Sequence, residues 1–356
     1  MSKRTTVFSA AAAALALSLA ATACGGAEGG GDGGGSGDGA SVDSLTLGYF
    51  PNITHVPALV GVENGIFAES LGDVELNTQT FNAGPDVINA LFAGEVDISF
   101  IGPNPAINGW SQSDGTALHI IAGSTSGGAG LVVRPGIEDV EDLPGTTIST
   151  PQLGNTQDVA LRWFAQEQGW EADTEGGGDL SIVPQGNAEI IDAFALGEID
   201  GAWVPEPHLS RLILENEGEL LIDEADLWPD TGGEFVTTHI IVNADFLEQH
   251  PDVVEAFLRG HIETVDWVNE NPEEAQQAAI THLEALTGSA PSADVVAASF
   301  ENVTFTFDPI SPSLRSGAEH AEAVGLLDPV ELEGIYSLDL LNGLLSEDGR
   351  DEVAGF

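Results

Sequence analysis

Basic side chains are nearly absent from this chain of 356 residues. Lys3 and Arg4 lie near the start, and after Cys24 there is no lysine and there are only six arginines, against 58 acidic side chains. Six scattered arginines in so negative a field exclude a nucleic-acid partner and attraction to an anionic membrane surface. The loss of lysine indicates an acid-coated protein adapted to strong salt, where the Debye length falls to about 3 Å at 1 M.

Cysteine occurs once, at Cys24, so the rest of the chain has neither disulfides nor thiolate metal sites. The sequence also lacks a Walker loop, a dinucleotide glycine fingerprint, a nucleophile elbow and a zincin motif. We therefore expect no enzyme activity, no metal and no cofactor.

The first 24 residues have the pattern of an export signal. Lys3 and Arg4 precede an apolar stretch over residues 7–21, which is too short to span a bilayer comfortably. The sequence Ala21-Thr22-Ala23-Cys24 resembles the lipobox of bacterial lipoproteins, which implies a signal peptide over 1–24 and lipidation of Cys24. The alternative is a simple secreted protein with a stray cysteine. Residues 25–43 are glycine-rich and are predicted to form a flexible tether.

The remaining residues alternate between short β-rich runs and stretches with helical periodicity. This alternation predicts an α/β fold with parallel sheets that carry helices on both faces. Residues 86–97 are echoed by residues 189–200, each a helix that ends in glycine and leads into an apolar strand, and this repeat predicts two similar lobes. The predicted strands cover 45–49, 74–80, 96–101, 118–122, 131–133, 146–149, 180–183, 199–204 and 239–242.

Four predicted strands end in turns of Pro, Asn, Gly or small polar residues, at 50–55, 102–105, 151–157 and 205–208. Ligands of open α/β sheets bind at the carboxyl ends of strands, where helix N-termini favour a small anion. Asn52, Asn104, Asn155 and Thr156 are predicted either to donate to such a ligand or merely to cap these helices.

Three further side chains near these turns are candidates for ligand contact. Trp203 could pack on a short alkyl chain or fill the core, and Glu206 could receive an ammonium group or face solvent. His55 could donate to an anion or serve as a capping or core residue.

Five segments together resemble the nitrate/sulfonate/taurine-type substrate-binding proteins of ABC importers. They are residues 49–58, 94–97 with 102–105, 150–160, 203–207 and 237–239. The resemblance runs from about residue 45 to about residue 345. It implies a two-lobed periplasmic-binding-protein-like fold of type II with the ligand cleft between the lobes. Lobe one would comprise 44–127 plus 240–356 and lobe two 128–239, with hinges at 125–130 and 236–239.

The same resemblance implies the partners and the site. The partners would be a small-molecule ligand, an ABC permease and its ATPase, and the membrane through a lipid at Cys24, with the protein a monomer outside the cytoplasm. By position, Asn155 and Thr156 match the family's oxyanion-holding turn, and Trp203 matches a wall of its pocket. The predicted ligand-binding residues are Asn52, Thr54, His55, Gly102, Asn104, Asn155, Thr156, Gln157, Trp203 and Glu206.

The best prediction for the solute is an aliphatic sulfonate or taurine. The alternatives are nitrate or bicarbonate, and a thiamine-precursor pyrimidine such as hydroxymethylpyrimidine, because Pro51-Asn52 followed by His55 also resembles the pyrimidine-binding relatives. A hypothesis of another class is an enzyme on the same fold, similar to the pyrimidine synthases related to those binders.

Overall fold

The structure, a computed structural model, describes residues 42–356. The predicted signal peptide, Cys24 and the tether up to residue 41 lie outside the described residues. Eleven strands in the described part of the chain form two sheets. The strands are β1 (Ser44–Tyr49), β2 (Glu75–Thr80), β3 (Ile98–Ile101), β4 (Leu118–Gly127), β5 (Ala129–Val133), β6 (Thr147–Thr150), β7 (Ser181–Pro184), β8 (Gly201–Pro205), β9 (Glu219–Asp223), β10 (Val236–Asn243) and β11 (Val303–Phe305).

Helices connect and cover the strands. They are α1 (Val56–Glu63), α2 (Ile66–Leu71), α3 (Gly84–Phe92), α4 (Pro103–Gln112), α5 (Thr156–Glu167), α6 (Asn187–Leu196), α7 (His208–Asn216), α8 (Ala244–Gln249), α9 (Pro251–Glu270), α10 (Pro272–Thr287), α11 (Ala293–Glu301), α12 (Ser311–Ala323) and α13 (Asp339–Glu347). None of these helices combines the length and the apolarity that crossing a membrane requires.

The α/β fold predicted from the sequence is confirmed, but its sheets are mixed and not purely parallel. The first sheet has the order β2-β1-β3-β10-β4-β11, and the second has the order β7-β6-β8-β5-β9. In each sheet three strands run parallel, β2-β1-β3 and β7-β6-β8. The third strand of each parallel set pairs antiparallel with one further strand, β3 with β10 in the first sheet and β8 with β5 in the second. Both β10 and β5 lie next to a point where the chain crosses between the sheets. The chain enters β10 and β5 from the other lobe and not through a βαβ connection within the same sheet. The rule that such a connection joins parallel strands therefore does not apply to β10 and β5.

The internal sequence repeat is a repeat of structure. Asp97 and Asp200 each follow the repeated helix and immediately precede the third parallel strand of their lobe. One carboxylate oxygen of Asp97 accepts from the backbone N–H of Thr46 at 2.8 Å, and Asp200 accepts from that of Thr147 at 2.8 Å. Each aspartate thus ties a repeated helix–strand unit to the first parallel strand of its own sheet.

The chain crosses between the sheets twice, and the two crossings touch. The first crossing is Gly127–Gly128, where both residues have positive φ, 77° and 74°. Glycine adopts positive φ readily because it has no Cβ atom. The second crossing lies just before Val236, and the N–H of Gly127 donates to the carbonyl of Phe235 at 3.1 Å.

Strand β10 (Val236–Asn243) contains the second predicted hinge, residues 236–239, and it lies in the first sheet over its whole length. Residues 236–239 therefore pair with β3 and β4, although the predicted division placed them in lobe two. We use "first lobe" and "second lobe" below for the two sheets with their covering helices, and the role of the crossings as hinges stays a prediction.

Candidate functional site

The carboxyl ends of the parallel strands of both sheets converge on one small cavity of about 20 Å³, called here the inner cavity. Its position matches the crevice where open α/β sheets bind ligands. No lining residue in the described chain is Lys, Arg, Asp or Glu. The lining residues are Phe50, Asn52, Thr54, His55, Asn82, Gly102, Asn155, Thr156, Gln157, Asn187, Pro205 and Thr237.

A larger space of about 440 Å³, called here the outer chamber, adjoins the inner cavity. The two spaces share four lining residues, namely Phe50, Asn52, Asn82 and Asn187.

Seven of the ten ligand residues predicted from sequence line the inner cavity. Three come from the turn after β1, one from the N-terminus of α4, and three from the N-terminus of α5. They are Asn52, Thr54, His55, Gly102, Asn155, Thr156 and Gln157. The first two turns belong to the first lobe and the last to the second, so the cavity lies between the lobes.

The turn after β1 presents hydrogen-bond donors. The Thr54 hydroxyl donates to Oδ1 of Asn52 at 2.7 Å, which leaves the Asn52 Nδ2 amide protons available. The backbone N–H of Phe50 donates to Nδ1 of His55 at 3.3 Å, so the neutral imidazole carries its proton on Nε2. Burial lowers the pKa of His55 to about 3. His55 therefore stays uncharged and remains a donor across the physiological pH range.

The N-terminus of α5 contributes a buried polar group without a partner. The Oγ1 atom of Thr156 is buried without a hydrogen-bond partner, and the residue is only 8% exposed. An unpaired buried hydroxyl costs about 1–3 kcal/mol, and at the wall of a cavity such a group is open to a hydrogen bond with a ligand. Asn52 is the N-cap residue of a short 3-10 helix, Ile53–His55, and Asn155 is that of α5, but neither side chain forms a capping hydrogen bond. Helix capping therefore does not account for these two asparagines.

A buried ion pair supports the turn that carries Thr156. Asp158 accepts from the Thr150 hydroxyl at 2.8 Å and from the Gly154 N–H at 2.9 Å. Its Oδ2 also accepts from Nε of Arg162 at 3.0 Å, and both side chains are almost fully buried. The Asp158 carboxylate thus holds together both ends of the β6–α5 connection and fixes the direction of the α5 N-terminus.

Asn104 does not line the inner cavity. It is the second residue of α4, and its Nδ2 donates to the carbonyl of Gly317 on α12 at 2.9 Å. Its side chain therefore attaches α4 to α12, and we leave it out of the ligand-contact set.

Trp203 lies in the hydrophobic core of the second lobe with no exposed surface. Its Nε1 donates to Oε2 of Glu224 at 2.7 Å, and its ring packs against Phe164. Burial raises the pKa of Glu224 to about 7, and the Trp203 hydrogen bond lowers it in part. The indole extends from β8 into this core, so it is not a wall of either cavity.

Glu206 is fully buried and is held by four hydrogen bonds. Its oxygens accept from the N–H and the hydroxyl of Ser210, from the hydroxyl of Ser299 at 2.9 Å, and from Nδ2 of Asn302 at 2.7 Å. Burial raises its pKa, although these donors oppose the shift. Ser299 and Asn302 belong to the first lobe, so Glu206 connects the lobes and does not face a ligand ammonium group.

Five residues of the inner cavity were missed in the sequence, namely Phe50, Asn82, Asn187, Pro205 and Thr237. Asn82 follows β2 and Asn187 follows β7, so both obey the rule that identified the other turns: a polar residue just past the carboxyl end of a strand. The strands were predicted correctly, and extending the rule to all six parallel strands would have found both asparagines.

The lobes also meet through an aromatic stack. The indole of Trp163 on α5 stacks on the imidazole of His320 on α12, with ring centroids 3.8 Å apart and planes at 13°. The lobes are therefore joined by this stack as well as by the Glu206 network. Among residues 42–356 no group of three His, Cys, Asp or Glu side chains is placed to hold a metal ion.

Comparison with known proteins places the chain in a family. The NMT1-like family matches residues 38–283. The taurine-binding periplasmic protein of Escherichia coli (strain K12) is 30% identical over 243 residues, which cover 67% of this chain and 72% of that protein. A putative aliphatic sulfonates-binding protein of Bacillus subtilis (strain 168) is 27% identical over 227 residues, covering 62% and 64% of the two chains.

The fold agrees with these relatives. The alkanesulfonate-binding protein SsuA from Xanthomonas axonopodis pv. citri superposes with a TM-score of 0.67 at 17% identity, over 82% of this chain and 96% of that one. These relatives and this structural neighbour are binding proteins and not enzymes. The chain therefore belongs to the NMT1-like family, and it is a solute-binding protein with the type II periplasmic-binding-protein fold.

Proposed function

We propose that this protein captures a small oxyanion-bearing solute, an aliphatic sulfonate or taurine, and delivers it to an ABC importer. The observation that carries this proposal is the buried, unpartnered hydroxyl of Thr156 at the N-terminus of α5, in a cavity lined by neutral donors. A helix N-terminus supplies free N–H groups and a positive partial charge, both of which suit an anion.

Neutral donors fit a permanently ionised head group. Carboxamides of Asn52, Asn82, Asn155, Gln157 and Asn187 line the cavity together with neutral His55. A sulfonate stays ionised at every physiological pH, so it needs hydrogen-bond donors and no proton. The relatives named for taurine and for aliphatic sulfonates support this choice of solute.

A pyrimidine ring has less support. Binding it would require an aromatic slot, but in the inner cavity Phe50 and His55 stack on each other with centroids 4.4 Å apart. Nitrate and bicarbonate remain candidates because they also present oxygens to the same donors.

The proposed partners follow from the family. A permease with its ATPase would receive the solute, and a lipid on Cys24 would hold the protein at the outer side of the cell membrane. Residues 25–43 would act as the tether. Mass spectrometry of the protein purified from its host membrane tests the anchor, because lipidation requires cleavage before Cys24 and adds acyl mass to that residue.

Calorimetric titration at about 1 M salt, where the Debye length is about 3 Å, tests the solute. The panel is methanesulfonate, taurine, nitrate, bicarbonate and hydroxymethylpyrimidine. We expect a sulfonate to bind and Asn155→Ala to weaken its binding about tenfold, the loss of one charge-assisted hydrogen bond. Asn104→Ala is the control, because Asn104 lies outside the cavity. Binding of the pyrimidine alone, or equal effects of the two variants, would overturn the proposal.

A further inference from the structure

Thr156 also lines a second space between the lobes, a cavity of about 20 Å³ called here the interface cavity. The second lobe supplies the start of α5 and the segment after β9, and the first lobe supplies the starts of α4 and β10 and one face of α12. Among the described residues that line it, only Glu224 of the second lobe and His320 of the first lobe can ionise. The lining residues are Pro103, Asn104, Thr156, Val159, Ala160, Glu224, Trp228, Phe235, Val236, Ser313, Gly317 and His320.

Neither ionisable side chain has a partner of opposite charge. Glu224 is 2% exposed, and its Oε2 accepts from the neutral indole Nε1 of Trp203 at 2.7 Å. The His320 ring stacks on Trp163 with centroids 3.8 Å apart, and the Trp228 ring lies 5.6 Å away. A carboxylate or an imidazolium in these surroundings would lose water without gaining an opposite charge, so burial favours the uncharged form of each.

The charged groups on the neighbouring elements do not supply the missing partners. Helix α4 and strands β5 and β8 contain no charged residue. Asp223, next to Glu224, repels a charge on that carboxylate. Asp158 and Arg162 on α5 pair with each other. The other charged residues on these elements are Glu167 on α5, Glu219 on β9, Asp226 and Asp230 beside Trp228, and Arg315, Glu319 and Glu322 on α12.

We infer that closure of the lobes over a solute converts both side chains to their uncharged forms, so that Glu224 gains a proton and His320 loses one. This inference rests on the proposed function, because the captured sulfonate is what favours the closed arrangement. When the lobes separate, α12 moves away from Glu224 and the two indoles move away from His320. Water then reaches both groups and restores their charges. One proton is taken up and one is released, so capture requires no net proton.

The two protons have opposite effects on affinity as the pH rises. Burial in the closed arrangement raises the pKa of Glu224 from 4.5 to about 7 and lowers that of His320 from 6.5 to about 4. Between pH 5 and pH 7, a rising pH makes the uptake by Glu224 less favourable and the release from His320 more favourable. The effects oppose each other, so the protein would capture its solute with nearly constant affinity across this range.

The test is calorimetric titration of the purified protein with methanesulfonate at pH 5, 6 and 7 in about 1 M salt. The probe keeps its charge over this range. Glu224→Gln retains an acceptor for Nε1 of Trp203, and His320→Phe retains a ring that can stack on Trp163. Each affinity is divided by that of the wild type at the same pH, so that the contributions of other titrating groups, such as His55, cancel.

The two variants should change in opposite directions. From pH 5 to pH 7 the relative affinity should rise for Glu224→Gln, by up to about 40-fold, and fall for His320→Phe, by up to about 20-fold. These limits apply if each pKa returns to its ordinary value when the lobes separate. The double variant should keep a nearly constant ratio to the wild type.

Asp226→Asn is the control, because it removes an exposed carboxylate from the same short 3-10 helix, Glu224–Leu227. Its relative affinity should not change with pH. Circular dichroism melting checks that all the variants fold.

The outcomes separate the two proposals. If methanesulfonate binds but either single variant keeps a constant ratio to the wild type, or both change in the same direction, the inference is overturned and the proposed function stands. A change in Asp226→Asn as large as that in Glu224→Gln would also overturn the inference. If methanesulfonate binds to none of the proteins at any pH, both the proposed function and this inference are overturned.

Discussion

Gly102 of the first lobe and Thr156 of the second lobe lie against each other across the inner cavity. A Cβ atom at Gly102 would come within 2.7 Å of Oγ1 of Thr156, closer than van der Waals contact allows. The two residues are at the N-termini of α4 and α5, so the helix ends of the two lobes meet at this point. The missing side chain at position 102 is therefore a condition for the lobes to approach as they do.

Gly102→Ala should destabilise the ligand-free protein by about 1–3 kcal/mol, because the added methyl overpacks this contact. In the Thr156→Ala background the same change should cost much less, since the crowding atom is gone. Urea unfolding of the four proteins of this double-mutant cycle measures the coupling. Additive effects would show that the two lobes do not meet here in solution.

Thr156→Val should separate stability from binding. The substitution removes a buried hydroxyl that has no partner, so the ligand-free protein should become more stable by roughly 1 kcal/mol, while sulfonate binding weakens about tenfold. Thr264→Val is the matched control, because the Thr264 hydroxyl is buried but donates to the Gly260 carbonyl at 2.7 Å. That variant should lose stability and keep its affinity. A Thr156→Val protein that is less stable than wild type would contradict the prediction.

Asp158→Ala should be strongly destabilising, by about 3–5 kcal/mol, because it leaves the buried Arg162 guanidinium without its ion pair. Glu255→Ala removes the acid of another i,i+4 pair, that with Arg259, whose side chains are half-exposed. Its cost should be only about 0–1 kcal/mol. Thermal unfolding of both variants under one buffer condition makes the comparison, and similar losses in the two would show that the Asp158 pair is solvated.

Glu224→Gln should abolish part of the pH dependence of stability. Burial raises the pKa of Glu224 from 4.5 to about 7, so the folded state retains this proton where the unfolded state has lost it. The contribution of protonated Glu224 to the free energy of unfolding is therefore complete below pH 4.5, and it is lost as the pH rises to about 7. At pH 8 the variant should exceed wild type by about 3 kcal/mol, whereas at pH 4 the two should agree.

Urea unfolding between pH 4 and pH 8 measures the Glu224 effect. The glutamine can still accept from Nε1 of Trp203, so the hydrogen bond to the indole is kept. Glu219→Gln, on the exposed start of β9, should follow the wild-type pH profile. If Glu224→Gln follows that profile too, the pKa of Glu224 is not raised in the folded protein.

The sequence by itself determined the order of elements, the two related lobes and the edge of the sheet where the site lies. Each of these depends on local patterns. An apolar run between turn residues locates a strand, and Pro272 marks the start of α10. Asp97 and Asp200 end the two copies of the repeat, and each forms its hydrogen bond within its own lobe. Polar residues just past a strand's end follow from the same patterns, which is why seven of the predicted ligand residues line the inner cavity.

Only the tertiary structure decided where each of these side chains points. Asn104 and Thr156 both occupy the first turn of a helix that follows a strand, yet Asn104 bonds α12 and Thr156 faces the inner cavity. Trp203 and Glu206 lie in or next to a turn whose residue types are typical of a binding site. A hydrogen bond to Glu224 nevertheless holds Trp203 in the core. Ser299 and Asn302, which are distant in sequence, hold Glu206 at the contact between the lobes. A local pattern fixes the phase of a helix or strand. What packs against each face depends on segments far away in the chain, and no short stretch of sequence contains that information.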